Sequence, residues 1–307
     1  LTKARPARSI AAPNAGAFAV CGIIGLFLKN PALEPELGRL SAGMLAVMSD
    51  RGPDSAGFAV YGGDADGVKL TLRVPEGVDL SPLGTRLLRR GDHAVLTVPA
   101  SEEDAVRARL ARDFPGVAIV SAGARIELYK GVGLPDRVSA RYGLPGMAGT
   151  HAIGHTRMAT ESAVTIQGAH PFSTGPDQCL VHNGSLSNHN SVRRRLRHEG
   201  IETETDNDSE VAAGYLTWRM RQGASLGDAL GAALSDLDGF YTFVVGTATG
   251  FGVLRDPIAC KPAVMAETED YVAFGSEYRA LVPLPGIEAA RLFEPAPGRV
   301  YFWDRAA

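Results

Sequence analysis

Five short stretches of this 307-residue chain carry side chains that could do chemistry together. Cys21 opens the run CGIIG, the loop RGPDSAG holds Arg51 and Asp54, GHTRMAT carries Arg157, HNG presents Asn183 and Gly184, and DNDSE supplies Asp208. A cysteine followed by glycine and apolar residues reads, by itself, as a small buried hydrophobe. The other stretches change that reading. RGPDSAG is fixed by glycine and proline and is built too tightly for a mere solvent turn. Arg157 stands at the end of an apolar run, where its planar fork could take a carboxylate bidentately. Asn183 offers a side-chain amide beside the N–H of Gly184, which can approach a ligand closely because glycine has no Cβ. Such a donor pair is what a tetrahedral oxyanion requires. Asp208 sits at a helix start and is either a cap or an acceptor for a ligand ammonium.

Together these groups describe the hydrolysis of an amide on an amino-acid substrate. The set lacks a base, since no histidine is assignable as the partner of Cys21. A terminal α-amine, with a pKa of about 8, could serve. An internal cysteine has no such amine, so the set makes sense when Cys21 is the first residue of the mature chain.

The elements that must position these residues can be read from periodicity. CGIIGLFL, residues 21–28, reads as a buried strand. Leu33, Leu37, Leu40, Met44, Val47 and Met48 fall at helical spacing and form core, and FAVYGG after the RGPDSAG loop is a second strand. From about residue 64 to 124 the texture shifts to strand, helix, strand (DHAVLTVPAS, EEDAVRARLARDF, GVAIVSAG), an inserted module rather than part of the site. The second half holds the strands THAIGHTRMAT and QCLVHNGSLSN, a helix from about 208 to 222, and a second helix in SLGDALGAALSDL. FYTFVVGT, GFGVLRD, AVMAET and YVAFGS then alternate as an antiparallel meander. Strands in both halves with two helical groups imply two sheets covered by helices.

Composition excludes several classes of function. Hydrophobic residues make up 45% and charged residues 21%, ordinary for a globular chain. The net charge is −3, and the first twenty residues hold Lys3, Arg5 and Arg8 with no acid, so the remainder carries −6. An acidic body argues against nucleic acid or an anionic membrane as partner. No apolar run approaches the roughly 20 residues of a membrane span. Cys21, Cys179 and Cys260 are an odd count without CxxC spacing, which points to a reducing cytoplasm and neither a disulfide framework nor a zinc site. The histidines show no ligand spacing for a metal. The leader, residues 1–20, has traits of a signal peptide with an Ala-Phe-Ala cleavage site, of an Arg-rich transit peptide, and of a lipoprotein with a lipidated Cys21.

Taken in order, Cys21-Gly-Ile-Ile-Gly, RGPDSAG, GHTRMAT, HNGSLSN, DNDSE, RDPIACKP and FGSEYRAL resemble the motifs of class II glutamine amidotransferases, which are N-terminal nucleophile hydrolases. The resemblance covers about residues 21–60 and 125–303. It implies an αββα four-layer sandwich of two antiparallel sheets, with residues 21–307 as one amidotransferase domain and 64–124 inserted into it. It implies that Cys21 attacks the side-chain amide of glutamine and that its freed α-amine relays the proton. Asn183 and Gly184 would form the oxyanion hole. Arg157, assisted by Thr160, would hold the α-carboxylate, and Asp208 with the Gly184 region the α-ammonium. Arg51 and Asp54 would order the loop around the nucleophile. The leader departs from the simplest members, and is expected to be removed as a propeptide or to reflect a start at Val20.

These 307 residues show no motif of a phosphoribosyl-binding domain, a sugar-phosphate isomerase domain or an SGGLDS-like pyrophosphatase loop, so the acceptor of the ammonia is expected on a separate subunit. The chain resembles the separate amidotransferase subunits of glutamate synthase-like enzymes, including N-methylglutamate synthase, through ELYKGVG, GHTRMATESAV, AHPFS and the ending from EYRALVPLPG to GRVYFW. That resemblance implies no cofactor in this chain, with FMN and an iron–sulfur cluster in the partner synthase subunits. A stand-alone amidase of the same superfamily and a non-catalytic regulatory subunit are the competing readings.

Overall fold

Alternate residues of the first strand enter two different cores. Ile24, Leu26 and Leu28 pack under a helix, while Ile23 and Phe27 face a second sheet. A strand buried on both faces needs a near-continuous apolar sequence, which CGIIGLFL supplies.

The computed structural model describes residues 21–63, 65–84, 86–158 and 165–305. In chain order the elements are β1 (Gly22–Leu28), α1 (Leu37–Ala46) and β2 (Ser55–Tyr61). Next come β3 (Val68–Arg73), β4 (Leu87–Arg90), β5 (His93–Val98), α2 (Glu103–Asp113) and β6 (Ala118–Gly123). β7 (Ile126–Val132), α3 (Pro135–Tyr142), β8 (His151–Arg157), β9 (Phe172–Gly175) and β10 (Gln178–Leu186) follow. The chain continues through α4 (His189–His198), α5 (Asp208–Arg221), α6 (Leu226–Asp236), β11 (Gly239–Gly246) and β12 (Gly250–Arg255). It ends with β13 (Val264–Glu267), β14 (Tyr271–Gly275), β15 (Arg291–Phe293) and β16 (Arg299–Asp304).

Among the described residues, one sheet has seven strands in the order β15-β13-β14-β1-β8-β2-β7, and a second has five, β16-β12-β11-β10-β9. Three apolar clusters fill the three gaps between four layers. Leu40, Met44 and Leu45 of α1 and Val138 of α3 pack on one face of the seven-stranded sheet. Ile23, Phe27, Val244 and Phe251 lie between the sheets. Leu196, Leu216 and Leu230 from α4, α5 and α6 cover the far face of the five-stranded sheet. This is the αββα sandwich that the resemblance implies.

The segment from β3 to β6 makes its own four-stranded sheet, β4-β5-β3-β6, over a separate cluster that includes Leu70, Leu72, Leu96 and Leu110. It departs and returns at one rung of the ladder, because β2 and β7 are antiparallel neighbours with Tyr61 opposite Ile126. Gly62 N–H donates to the Arg125 carbonyl at 3.1 Å, and the Asp177 carboxylate accepts from the N–H groups of Ala124, Arg125 and Ile126 at 2.8 to 2.9 Å.

Two details differ from the sequence reading. The last strands are two hairpins and not one meander: β11 and β12 belong to the five-stranded sheet, β13 and β14 to the seven-stranded one. The chain changes sheets after Arg255, whose guanidinium binds the carbonyls of Ala259, Lys261 and Pro295 and fastens the crossing. α3 and α4 were not anticipated, because both are short and polar over most of their surface. The basic run on α4 is also structural in part: Arg193 is buried and donates to the Thr205 carbonyl, and Arg195 lies 4.2 Å over the Trp218 ring.

Candidate active site

The sandwich brings the chemically suggestive residues to one end of the layer between the sheets. β1 and β8 pair with Gly22 opposite Thr156, so Cys21 and Arg157 stand on adjacent strands at the same end. Arg157 in turn lies opposite Ser55 of β2. From the other sheet, Asn183 of β10 shares a face with Cys179 and Val181, which pack in the inter-sheet core.

Two side chains hold the main chain at Cys21. Asn183 Nδ2 donates to the Cys21 carbonyl at 3.1 Å, and Arg51 Nε donates to the same oxygen at 3.4 Å. Because the acceptor is a carbonyl, the atom beside it must be the amide nitrogen. That nitrogen has a second N–H left to point elsewhere. Arg51 is itself gripped by an ion pair with Glu277. Burial works to raise the Glu277 carboxyl, but the hydrogen bond and charge of Arg51 outweigh it and hold the group below its ordinary range. Beside them, the Ser276 hydroxyl accepts from Ile23 N–H at 2.9 Å.

The RGPDSAG loop lies flat on the end of β8. A Cβ at Gly52 would come 2.4 Å from the Thr156 carbonyl carbon and 2.5 Å from the Arg157 nitrogen, so only glycine allows that approach. Asp54 N–H donates to the Arg157 carbonyl at 3.1 Å, which fixes where the guanidinium starts. Gly184 is the second position that excludes a side chain. Its φ is +143°, and a Cβ there would lie 2.0 Å from the Phe240 carbonyl oxygen.

Asp208 is not the cap of α5. Asn207 is, its side chain accepting from Ser209 N–H at 2.9 Å. Asp208 instead accepts from Leu186 N–H at 2.9 Å through Oδ2, two residues beyond Gly184, and its side chain remains 22% exposed. Its other oxygen lies 3.7 Å from His182 Nδ1. Thr160 lies outside the described residues.

Sequence reasoning missed a buried row of three histidines behind this site. The rings of His155 and His170 stack at 4.1 Å, and the Ser209 hydroxyl joins His170 Nε2 (2.8 Å) to His182 Nδ1 (2.9 Å). One hydroxyl carries one proton, so one of those two ring nitrogens must be the donor. Burial lowers all three pKa values, His155 to about 3 and His182 to about 4 despite the help of Asp208, so the row is neutral at pH 7. Ser55 and Thr242, register partners of Arg157 and Asn183, are also buried at the site's edge. All of these except Thr242 lie inside the motifs that carry the resemblance, Ser55 in RGPDSAG, His155 in GHTRMAT, His170 in AHPFS, His182 in HNGSLSN, Ser209 in DNDSE, and Ser276 and Glu277 in FGSEYRAL, but nothing in those runs marked them out.

Taken together, the end of the inter-sheet layer holds a thiol, a side-chain amide, a glycine N–H on a constrained turn, a guanidinium and a carboxylate. Such a set can bind both ends of an amino acid and stabilise an oxyanion on its side chain.

A glutamine amidotransferase domain family matches residues 155–283. The glutamine amidotransferase-like protein GlxB of Rhizobium meliloti is 60% identical over 297 residues, 93% of this chain and 98% of its own. A relative from Methanothermobacter thermautotrophicus, described as a glutamine amidotransferase, is 33% identical over 304 residues, 92% of this chain and 99% of its own. Among solved structures, glutamine phosphoribosylpyrophosphate amidotransferase from B. subtilis aligns with 92% of this chain and 47% of that one, at a TM-score of 0.61 and 21% identity. That likeness is one of fold. The chain belongs to the class II glutamine amidotransferase family.

Proposed function

We propose that this chain hydrolyses glutamine to glutamate and ammonia and hands the ammonia to a separate synthase subunit. The observation that carries this reading is the Asn183 amide held 3.1 Å from the Cys21 carbonyl, with Arg157 on the neighbouring strand. In this reading the Cys21 sulfur attacks the side-chain carbonyl carbon of glutamine. The carbonyl electrons move to oxygen, where the second Asn183 N–H and the Gly184 N–H receive the charge. The carbon–nitrogen bond then breaks as nitrogen takes the thiol's proton, relayed by the α-amine of Cys21 once residues 1–20 are gone. Ammonia leaves, and water hydrolyses the thioester to glutamate and restores the thiol. Arg157, with Thr160, takes the substrate α-carboxylate and Asp208 the α-ammonium. Arg51, Asp54 and Glu277 keep the nucleophile's main chain in place.

The partner in this proposal is a glutamate synthase-like subunit carrying FMN and an iron–sulfur cluster, in a cytoplasmic complex, with N-methylglutamate synthase chemistry preferred over 2-oxoglutarate amination. The motifs of the C-terminal half support that preference. The direct test is glutamate release from glutamine by chain that starts at Cys21, beside Cys21→Ala. The mutant should be inactive with glutamine while the complex still turns over with free ammonia or methylamine. Undiminished glutaminase activity in Cys21→Ala would overturn the assignment. Co-purification from the native host, assayed with 2-oxoglutarate and with methylamine, separates the two acceptors.

A further inference from the structure

A cavity of about 480 Å³ opens between the inserted sheet and the body, away from the cysteine. It lies within the size range of small-molecule sites. Its walls come from β3 and β6 of the insertion, from β7 and β9, from the 202–205 loop and from α5. We propose that it is a second binding site, for a small carboxylate that also carries an amine, with the carboxylate on Lys130 and Arg73 and the amine toward Glu202 and Glu204.

The deep end of the cavity is cationic. Lys130 is only 7% exposed, and its ammonium lies 4.5 Å over the Phe172 ring, with no hydrogen-bonded carboxylate among the described residues. The carboxylate best placed to compensate it, Glu210, has its oxygens occupied by the N–H groups of Glu204 and Thr205, each at 2.7 Å, and by the Thr205 hydroxyl. Arg73 lines the same space and adds a like charge that works against protonation of Lys130. Burial lowers the Lys130 pKa to about 8, a value that still leaves it mostly charged at pH 7. Two cations facing one cavity are the complement of a carboxylate. The rim is acidic on balance, with Glu202 and Glu204 exposed there beside a single exposed cation, Arg221. A dianion such as phosphate would satisfy the deep end and be repelled at the mouth. An amino-carboxylate matches both ends.

The test compares thermal shifts and calorimetric titrations of the wild-type chain and Lys130→Met with glutamate, lysine, 5-aminopentanoate, pentanoate and inorganic phosphate. Any binding at the cysteine site is common to both proteins and cancels in the difference. At least one amino-carboxylate should bind the wild type and be weakened about tenfold or more in Lys130→Met, as expected for loss of a buried charge partner. Arg73→Gln should weaken the same compound. Without any ligand, Lys130→Met should melt no lower than the wild type, because it removes a buried charge that lacks a paired carboxylate. A panel in which no amino-carboxylate distinguishes the two proteins, or in which phosphate binds best, would overturn the proposal. So would a ligand-free Lys130→Met that melts well below the wild type.

Discussion

Asn183 donates a side-chain N–H to the main-chain carbonyl of Cys21 at 3.1 Å, across 162 residues of sequence. The contact crosses from one sheet to the other, so the amide is aimed by the packing of both and not by a flexible loop. Asn183→Ala should lower kcat by about 10²–10³-fold, the usual loss for one oxyanion donor, with KM little changed. Asn183→Asp should be worse, since it sets an anion beside the developing charge. Steady-state kinetics decide it: a raised KM with intact kcat would make Asn183 a binding residue instead.

Arg157→Lys and Asp208→Asn should each raise the KM for glutamine by about tenfold or more. Lysine keeps the charge and loses the fork. The asparagine can still accept from Leu186 N–H, which Asp208 does at 2.9 Å, so the fold should be spared. Changes below about twofold in both variants would mean that the substrate lies elsewhere.

Gly184→Ala should cost roughly 3 kcal/mol or more, because the new Cβ meets the Phe240 carbonyl oxygen in a backbone conformation that alanine resists. Gly146→Ala, with nothing within 4 Å of the added carbon, should stay within about 0.5 kcal/mol of wild type. Urea midpoints of the two variants provide the comparison.

Acid should unfold the protein through its histidines as well as its carboxylates. His155 and His182 are held neutral, at about 3 and about 4, by burial, whereas in the unfolded chain they would protonate near 6.5. Between those values the unfolded state binds more protons, so stability falls as the pH drops from about 6.5 and is flat above it. Denaturant midpoints from pH 7.5 to 4.5 should show that decline, and His155→Gln should flatten it. An unchanged slope would exonerate the row.

Glu277→Gln should loosen Arg51 and lower both stability and kcat. The pair is partly exposed, with side chains at 13% and 30%, so about 1–2 kcal/mol is the expected scale. A loss of kcat without loss of melting temperature would show that Arg51 acts on the nucleophile's position alone.

The site was legible where its chemistry is written in a few adjacent residues. Gly52 sits within RGPDSAG and Gly184 within HNG, and each contact depends on the glycine's own local geometry. That β1 is buried on both faces was legible because Ile23 and Ile24 point into different cores, which forces an unbroken apolar strand. The αββα order of layers came instead from the resemblance of the ordered motifs. Glu277 and Ser276 carried no comparable signal: Ile23 and Ser276 meet across 253 residues, and no local period encodes that register. The histidine row was hidden for the same reason, its members arriving from β8, the segment before β9, and β10, with His170 and His182 meeting on Ser209 and His155 stacking on His170. The late strands misled because alternation reports burial and not which sheet a hairpin joins.

The rung at Tyr61 and Ile126, where the inserted sheet leaves and rejoins the body, gives the insertion a single doorway in the ladder. Gly62 and Arg125 already stand hydrogen-bonded like the ends of a hairpin, and a two-residue turn would close the ladder there. The insertion is still not free-standing: Val95 enters the core under α1, and His93 packs on Tyr129 and Tyr142, so its loss would uncover that face. What would depart with it is one wall of the cavity holding Lys130, while Cys21, Arg157 and Asn183 stay at the end of the two-sheet body.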